Sequence, residues 1–422
     1  MSELRTLLVG LDLDYHCSQL CYYNRKTNEP ESIGPDDELL IPTAVGVKEQ
    51  TKEWLYGQAA LTCQEEEEGI AVTDMLKKAL SEEDTLIYDV AFKPEELMEK
   101  YLRRLLLLLK QRFPEEYIEK LVVTIPELKL PLVRCVTRAL AKMGLLKDRV
   151  TISSHGQSFQ YYALHQKREL WSGNVAMFEY KEEGLLYYQT SINRKRRPIL
   201  AALETADYSR QIPFSLRLEK NKISYAFPNL AEQAMYRQMI STVYAVGSGF
   251  EGEWAADCLT KLCVGRRVFL GQNLFAAGAC YYALDLENGT GSDDILYLTE
   301  DMTVNEILCS VFYKGKNEEV ILCDAGVNWF EVEKEYCVIL DDVESVEFIL
   351  NNILTGERRT VAIPLPGLEK RPRKMTRVQI KLTYSEKDEL AILIEDQGFG
   401  EFYPATEQMW TEVIRIRGKE GA

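Results

Sequence analysis

Apolar and polar positions along the first 290 or so residues alternate between two periods. Short, nearly unbroken apolar runs read as buried strands: Leu7–Leu13 with Ser18–Tyr23 as its partner, Leu121–Pro126, Asn174–Tyr180 and Val243–Val246. Between them lie stretches with helical spacing. Pro94–Phe113 carries Glu95, Glu96 and Glu99 in its first turns and basic residues later, as the helix dipole favours. Leu130–Met143 stops at Gly144, a left-handed cap. Val150–Gly156 opens a further helix that carries Tyr161, Tyr162 and Ala163. Ile212–Leu216 and Lys222–Phe227 read as strands, accompanied by one helix. Gly252–Cys263 places Trp254, Leu259 and Leu262 on one stripe; Arg267–Leu270 is strand-like, and the next helix has a small face of Ala276, Ala277, Ala279 and Ala283. Gly289-Thr290-Gly291-Ser292-Asp293 has the composition of a linker. Beyond it the period becomes that of strands throughout: Ile307–Phe312, Glu319–Cys323, Glu335–Leu340, Val346–Leu350, Thr360–Ile363, Arg377–Tyr384 and Leu390–Glu395. Such spacing with polar turns predicts an antiparallel β-sandwich.

Composition narrows the partners. With 422 residues and 46% hydrophobic positions the chain can build two or three full cores. A net charge of −16 speaks against non-specific binding to nucleic acid and against an anionic membrane surface. Glu65–Glu68 is an acidic run expected in a solvated loop. The ten cysteines form no Cys-x-x-Cys pair, so no metal is predicted and free thiols in a reducing cytoplasm are expected. The start Met1–Arg5 leads straight into a strand with no signal-peptide pattern, and Leu105–Leu109 is too short to span a bilayer.

Candidate chemistry is sparse. The strand ending in Gly247-Ser248-Gly249 turns into a helix, which brings bare backbone close to a ligand or a packed neighbour. Ser153 and His155 stand two apart at a helix start. No acid is placed to orient the histidine and the two need not touch, so capping by a serine is the expected role. On the residues alone, Asp12 is a structural or a functional acid and Lys77 is an exposed lysine.

The order of these pieces resembles the seventy-kilodalton heat-shock chaperones, members of the actin-like ATPase superfamily. The resemblance rests on Val243–Leu286, where a strand, a glycine turn, a helix, a short strand and an alanine-rich helix follow one another. It rests also on Ile41–Val47 with Trp54–Ala60, on the strand–helix series Leu121–Ala163, and on Leu365-Pro366-Gly367-Leu368, Arg371-Pro372-Arg373 and Val378–Tyr384. It implies a two-lobed actin-like, ribonuclease-H-like α/β domain over residues 1–289, a linker at 290–298 and an all-β sandwich at 299–422. ATP or ADP is the cofactor class implied, with Gly10, Asp12, Gly247, Ser248 and Gly249 as binding positions and Asp12 and Lys77 as catalytic candidates. Both phosphate hairpins depart from the family. Asp14-Tyr15-His16 replaces Gly-Thr-Thr, and Glu179–Gly184 replaces Asp-x-Gly-Gly-Gly-Thr. A carboxylate about 4 Å from a phosphate costs about 4 kcal/mol at an effective dielectric near 20. The expected function is therefore a non-catalytic, cytoplasmic, chaperone-like binder with a degenerate nucleotide cleft. Its sandwich would take a protein or extended peptide, or a second copy of the chain, and no lid is expected after Asp396. A divergent ATP-hydrolysing chaperone and a structural scaffold of a bacterial assembly are the alternatives.

Overall fold

Thr6–Leu13 (β1) is buried on both faces, which places it in the middle of a covered sheet. The computed structural model describes residues 6–35, 38–288 and 295–416. In it β1 hairpins into Cys17–Asn24 (β2), which continues antiparallel to Glu29–Ile33 (β3). On the other side of β1, Tyr117–Ile125 (β4) and Val150–Ser154 (β5) run parallel to it, giving the order β5-β4-β1-β2-β3, with the short pair Ile41–Pro42 also on β2. The parallel connections run through helices, as they must. Pro94–Arg112 (α1) starts on a proline, and Glu96 accepts a hydrogen bond from the Lys93 backbone N–H at 2.9 Å. Leu130–Lys142 (α2) follows β4, and Gly144 after it takes a φ of +82°.

A second sheet repeats that order. Asn174–Lys181 (β6), Gly184–Asn193 (β7) and Ile199–Asp207 (β8) form an antiparallel meander. Ile240–Val246 (β9) and Arg267–Gly271 (β10) lie parallel on its far side, giving β10-β9-β6-β7-β8. Ile295–Leu298 (β11) adds a strand beside β8.

The helices that close the two sheets are exchanged. His155–His165 (α3) follows the first sheet but packs Phe159, Tyr161 and Leu164 against Val175, Met177 and Tyr188 of the second. Leu274–Glu287 (α6) follows the second sheet, yet its alanines pack against Leu8 and Val122 of the first. Gly10 permits this: a Cβ there would stand 2.1 Å from the Ala276 carbonyl oxygen and 2.4 Å from the Cys280 nitrogen. This position is explained by helix–strand packing.

Two expectations fail. Residues expected as strands at 212–216 and 222–227 form a 3₁₀ turn, Phe214–Leu218, and the helix Lys220–Ala234 (α4). Ile223, Phe227, Leu230 and Ala231 recur at helical spacing and are buried against Phe178 and, from the helix Glu253–Leu262 (α5), Trp254. Ile223, Tyr225 and Phe227 also alternate, which imitates a strand. Of the linker expected at 290–298, residues 290–294 lie outside the described residues, as does Gly289. The rest is β11, whose Tyr297 stacks on Tyr161 at 4.1 Å.

The chain divides between Tyr297 and Leu298. The C-terminal unit has two four-stranded antiparallel sheets. Lys316–Cys323, Asn305–Tyr313, Ser345–Asn352 and Arg358–Pro364 form one; Glu333–Leu340, Thr376–Glu386, Glu389–Gly398 and Met409–Arg415 form the other. Both contribute to a single apolar core that includes Ile307, Phe348, Ile380 and Ile392. Asp396 is buried there and fully engaged: Arg371 donates to it at 2.8 and 2.7 Å, with Gly398 N and Thr406 N and Oγ1 completing its partners. Among the described residues no helix is long and apolar enough to cross a membrane.

Candidate functional site

β1 and β6 hold equivalent places in the two sheets, so residues at matching positions face each other across the helices α3 and α6. The period of two puts Asp12 and Asp14 on one side and Glu179 and Lys181 on the other. Asp12 and Glu179 converge on His155, the first residue of α3. Its Nε2 is 2.9 Å from Asp12 Oδ1 and its Nδ1 is 3.2 Å from Glu179 Oε1. The imidazole ring lies flat on Phe275 of α6, centroids 3.9 Å apart and planes at 9°. Lys181 Nζ binds Glu179 Oε1 at 2.7 Å and donates to Asp14 Oδ2. Tyr188 OH donates to Glu179 Oε2 at 2.9 Å.

The electrostatics follow from burial and proximity. Burial opposes the charged imidazolium of His155, but Asp12 and Glu179 outweigh it and hold its pKa up at about 9. Burial likewise opposes charge on Glu179, Asp14 and Lys181. Lys181 and His155 nevertheless pull the two acids below the usual carboxylate range, while Glu179 and Asp14 push Lys181 upward. Asp12 is different: its burial exceeds the help of His155, and its pKa rises. Three carboxylates thus face two cations, and Asp12 is the one left short.

Asp12, Asp14 and Lys181 of this cluster line a cleft of about 660 Å³, together with Gly247, Ser248 and Phe275. The volume falls within the range of small-molecule sites. Gly247 has a φ of +104°, and a Cβ on it would stand 2.4 Å from the Tyr180 carbonyl oxygen. A Cβ on Gly249 would stand 2.2 Å from the Tyr180 ring, and this residue is not part of the cleft lining. The turn is bare because Tyr180 packs into it, which the sequence left open against a ligand.

Other expectations are resolved here. His155 does have orienting acids, two of them, contrary to what the local sequence indicated; Asp12 is 143 residues distant, beyond the reach of any spacing argument. Ser153 is no partner to it, since its hydroxyl pairs with Ser158 at 3.2 Å. Ser154 caps α3, accepting from the Gln157 N–H at 3.2 Å. Asp14, expected as an uncompensated charge beside any phosphate, is compensated by Lys181. Lys77 lies exposed on the short helix Met75–Ser81, outside the cleft lining, with Nζ 5.8 Å from the Tyr15 ring centroid. All ten cysteines are free thiols. Among the described residues no group of three or more His, Cys, Asp or Glu side chains could hold a metal ion. The residues that sequence reasoning missed are Glu179, Lys181 and Tyr188. The one available signal was that Glu179 and Lys181 follow the same two-residue step as Asp12 and Asp14.

No curated protein sequence matches the chain. Residues 302–416 match a domain of unknown function, DUF8552. Residues 29–300, 272 of the 422, match the C-terminal part of a family of unknown function, DUF5716, and the chain belongs to that family.

Proposed function

We propose that this chain is a non-catalytic binding protein on a two-lobed actin-like framework, with a C-terminal β-sandwich for a protein or extended-peptide client. The repeated strand order and the exchange of α3 and α6 support the framework. The observation that carries the non-catalytic reading is Lys181, held between Asp14 and Glu179 where the resemblance would place phosphate and metal. Phosphoryl transfer depends on positioned charge, and here the charge is spent internally. A triphosphate entering that floor must separate Lys181 from its acids. Breaking a buried pair costs about 3–5 kcal/mol. Micromolar affinity amounts to only about 8 kcal/mol, so two such losses leave almost nothing for binding. The C-terminal sheets end in four edge strands, among them Lys316–Cys323 and Met409–Arg415, and such edges can accept an added strand. Calorimetric titration with ATP, with and without magnesium, followed by a phosphate-release assay, tests the reading. No binding heat and no phosphate are expected; tight binding with turnover would overturn it.

A further inference from the structure

The cleft floor leaves two acceptors unspent. Asp12, 4% exposed, commits Oδ1 to His155, and its Oδ2 has no hydrogen-bond partner among the described residues. Gln19 is 6% exposed, lines the cleft, and its amide makes no hydrogen bond among the described residues. The two are directly opposed in the β1–β2 register, which brings their side chains within reach of one bound group. Both residues line the cleft, so a carboxylate oxygen and an amide that the fold leaves without a protein partner are open to a bound group. Around them the lining is lopsided: Glu38 and Glu251 add negative charge, Glu182 lies 3.5 Å from His16, and Lys181 is already paired. Val246, Leu270 and Phe275 supply apolar wall.

We propose that this cleft is a site for a small organic cation, with an ammonium head hydrogen-bonded by Asp12 Oδ2 and the Gln19 carbonyl and an apolar body lying along Val246, Leu270 and Phe275. An ammonium group has only donors, which suits two free acceptors, and its charge supplies the third cation that the three carboxylates lack. A phosphate would meet the opposite conditions. The assignment rests on the cleft being free of nucleotide, so both are tested on one sample.

The full chain is titrated by calorimetry with phenylbutylamine and, separately, with phenylbutanol, which keeps the apolar body and removes the charge. The amine is expected to bind at least about tenfold more tightly than the alcohol, as a charge-assisted hydrogen bond allows. Cys17 lines the same cleft, so saturating amine should slow its alkylation, mapped against the exposed thiols Cys263 and Cys337 as internal controls. Gln19→Met should remove most of the amine preference and leave the alcohol unchanged; Asp12→Asn is the second variant should the first fold poorly. Equal affinity for amine and alcohol, no amine binding at millimolar concentration, or amine binding without protection of Cys17 would each overturn the proposal. A parallel titration with magnesium and ATP separates the two claims. ATP turnover would strike the non-catalytic reading, whereas silence from both ATP and amine would strike only the amine site.

Discussion

Lys181 stands two residues beyond Glu179 as Asp14 stands two beyond Asp12, and the change of sign between those matched positions lets Lys181 pair with an acid of each hairpin. Lys181→Met leaves two buried carboxylates without their cation and is expected to cost about 3–5 kcal/mol, measured by denaturant unfolding. Lys77→Ala, on an exposed helix face, should stay within about 0.5 kcal/mol of the parent. The histidine sets the pH dependence. Its folded pKa of about 9 lies above the ordinary 6.5, so its stabilisation is complete below 6.5 and is lost as pH rises through 9, about 3 kcal/mol in all. Asp14 and Glu179 act in the opposite sense: both are lowered, so their contribution holds above the ordinary carboxylate range and is lost in acid. Asp12 is raised by burial, so its contribution is present below the ordinary carboxylate range and is lost as pH rises from there through its folded value. Unfolding midpoints between pH 5 and 10 should fall on the alkaline side for the parent and lose most of that limb in His155→Gln. A parent curve that is flat to pH 10 would contradict the network. Asp12 stood out in the sequence because a lone acid in an apolar strand is conspicuous. Its partner His155 did not, nor did Lys181 as the partner of Asp14, because pairs 143 and 167 residues apart leave no local trace.

Strands and helices were legible wherever burial imposes one period. The helices at 94–112 and 130–142 and the strands at 6–13, 174–181 and 240–246 follow the apolar pattern within a residue or three. The failure at 212–227 has a specific cause: three apolar residues at i, i+2 and i+4 serve either period, and only packing on Phe178 and Trp254 decides between them. Glycines were legible as glycines but not as to purpose. Gly10, Gly247 and Gly249 all touch other parts of the protein, the last two through Tyr180. Gly249→Ala is therefore expected to destabilise the folded state by about 1–3 kcal/mol with no ligand present. An unchanged melting curve would return that turn to a ligand-binding role.

At the scale of the whole chain, the change of period falls near residue 290 and the division between the two compact units lies between Tyr297 and Leu298; Ile295–Leu298, expected in a connecting segment, is a strand. That strand extends the second sheet and buries Tyr297, 5% exposed, on Tyr161. A fragment ending at residue 299 should be about 2–4 kcal/mol more stable than one ending at residue 288, from the buried ring and its stacking; equal stabilities in urea would show that the strand adds nothing.

One arrangement is central, a cleft floor whose lysine and histidine are already engaged by the protein's own carboxylates. The chain has only three histidines, so the ring resonances of His155 can be assigned with a single variant and followed by NMR as pH is raised. His155 is expected to be doubly protonated at neutral pH, to titrate near 9, and to be unmoved by saturating magnesium and ATP. A neutral ring that titrates at or below 6.5, or one whose resonances shift when ATP is added, would contradict that arrangement.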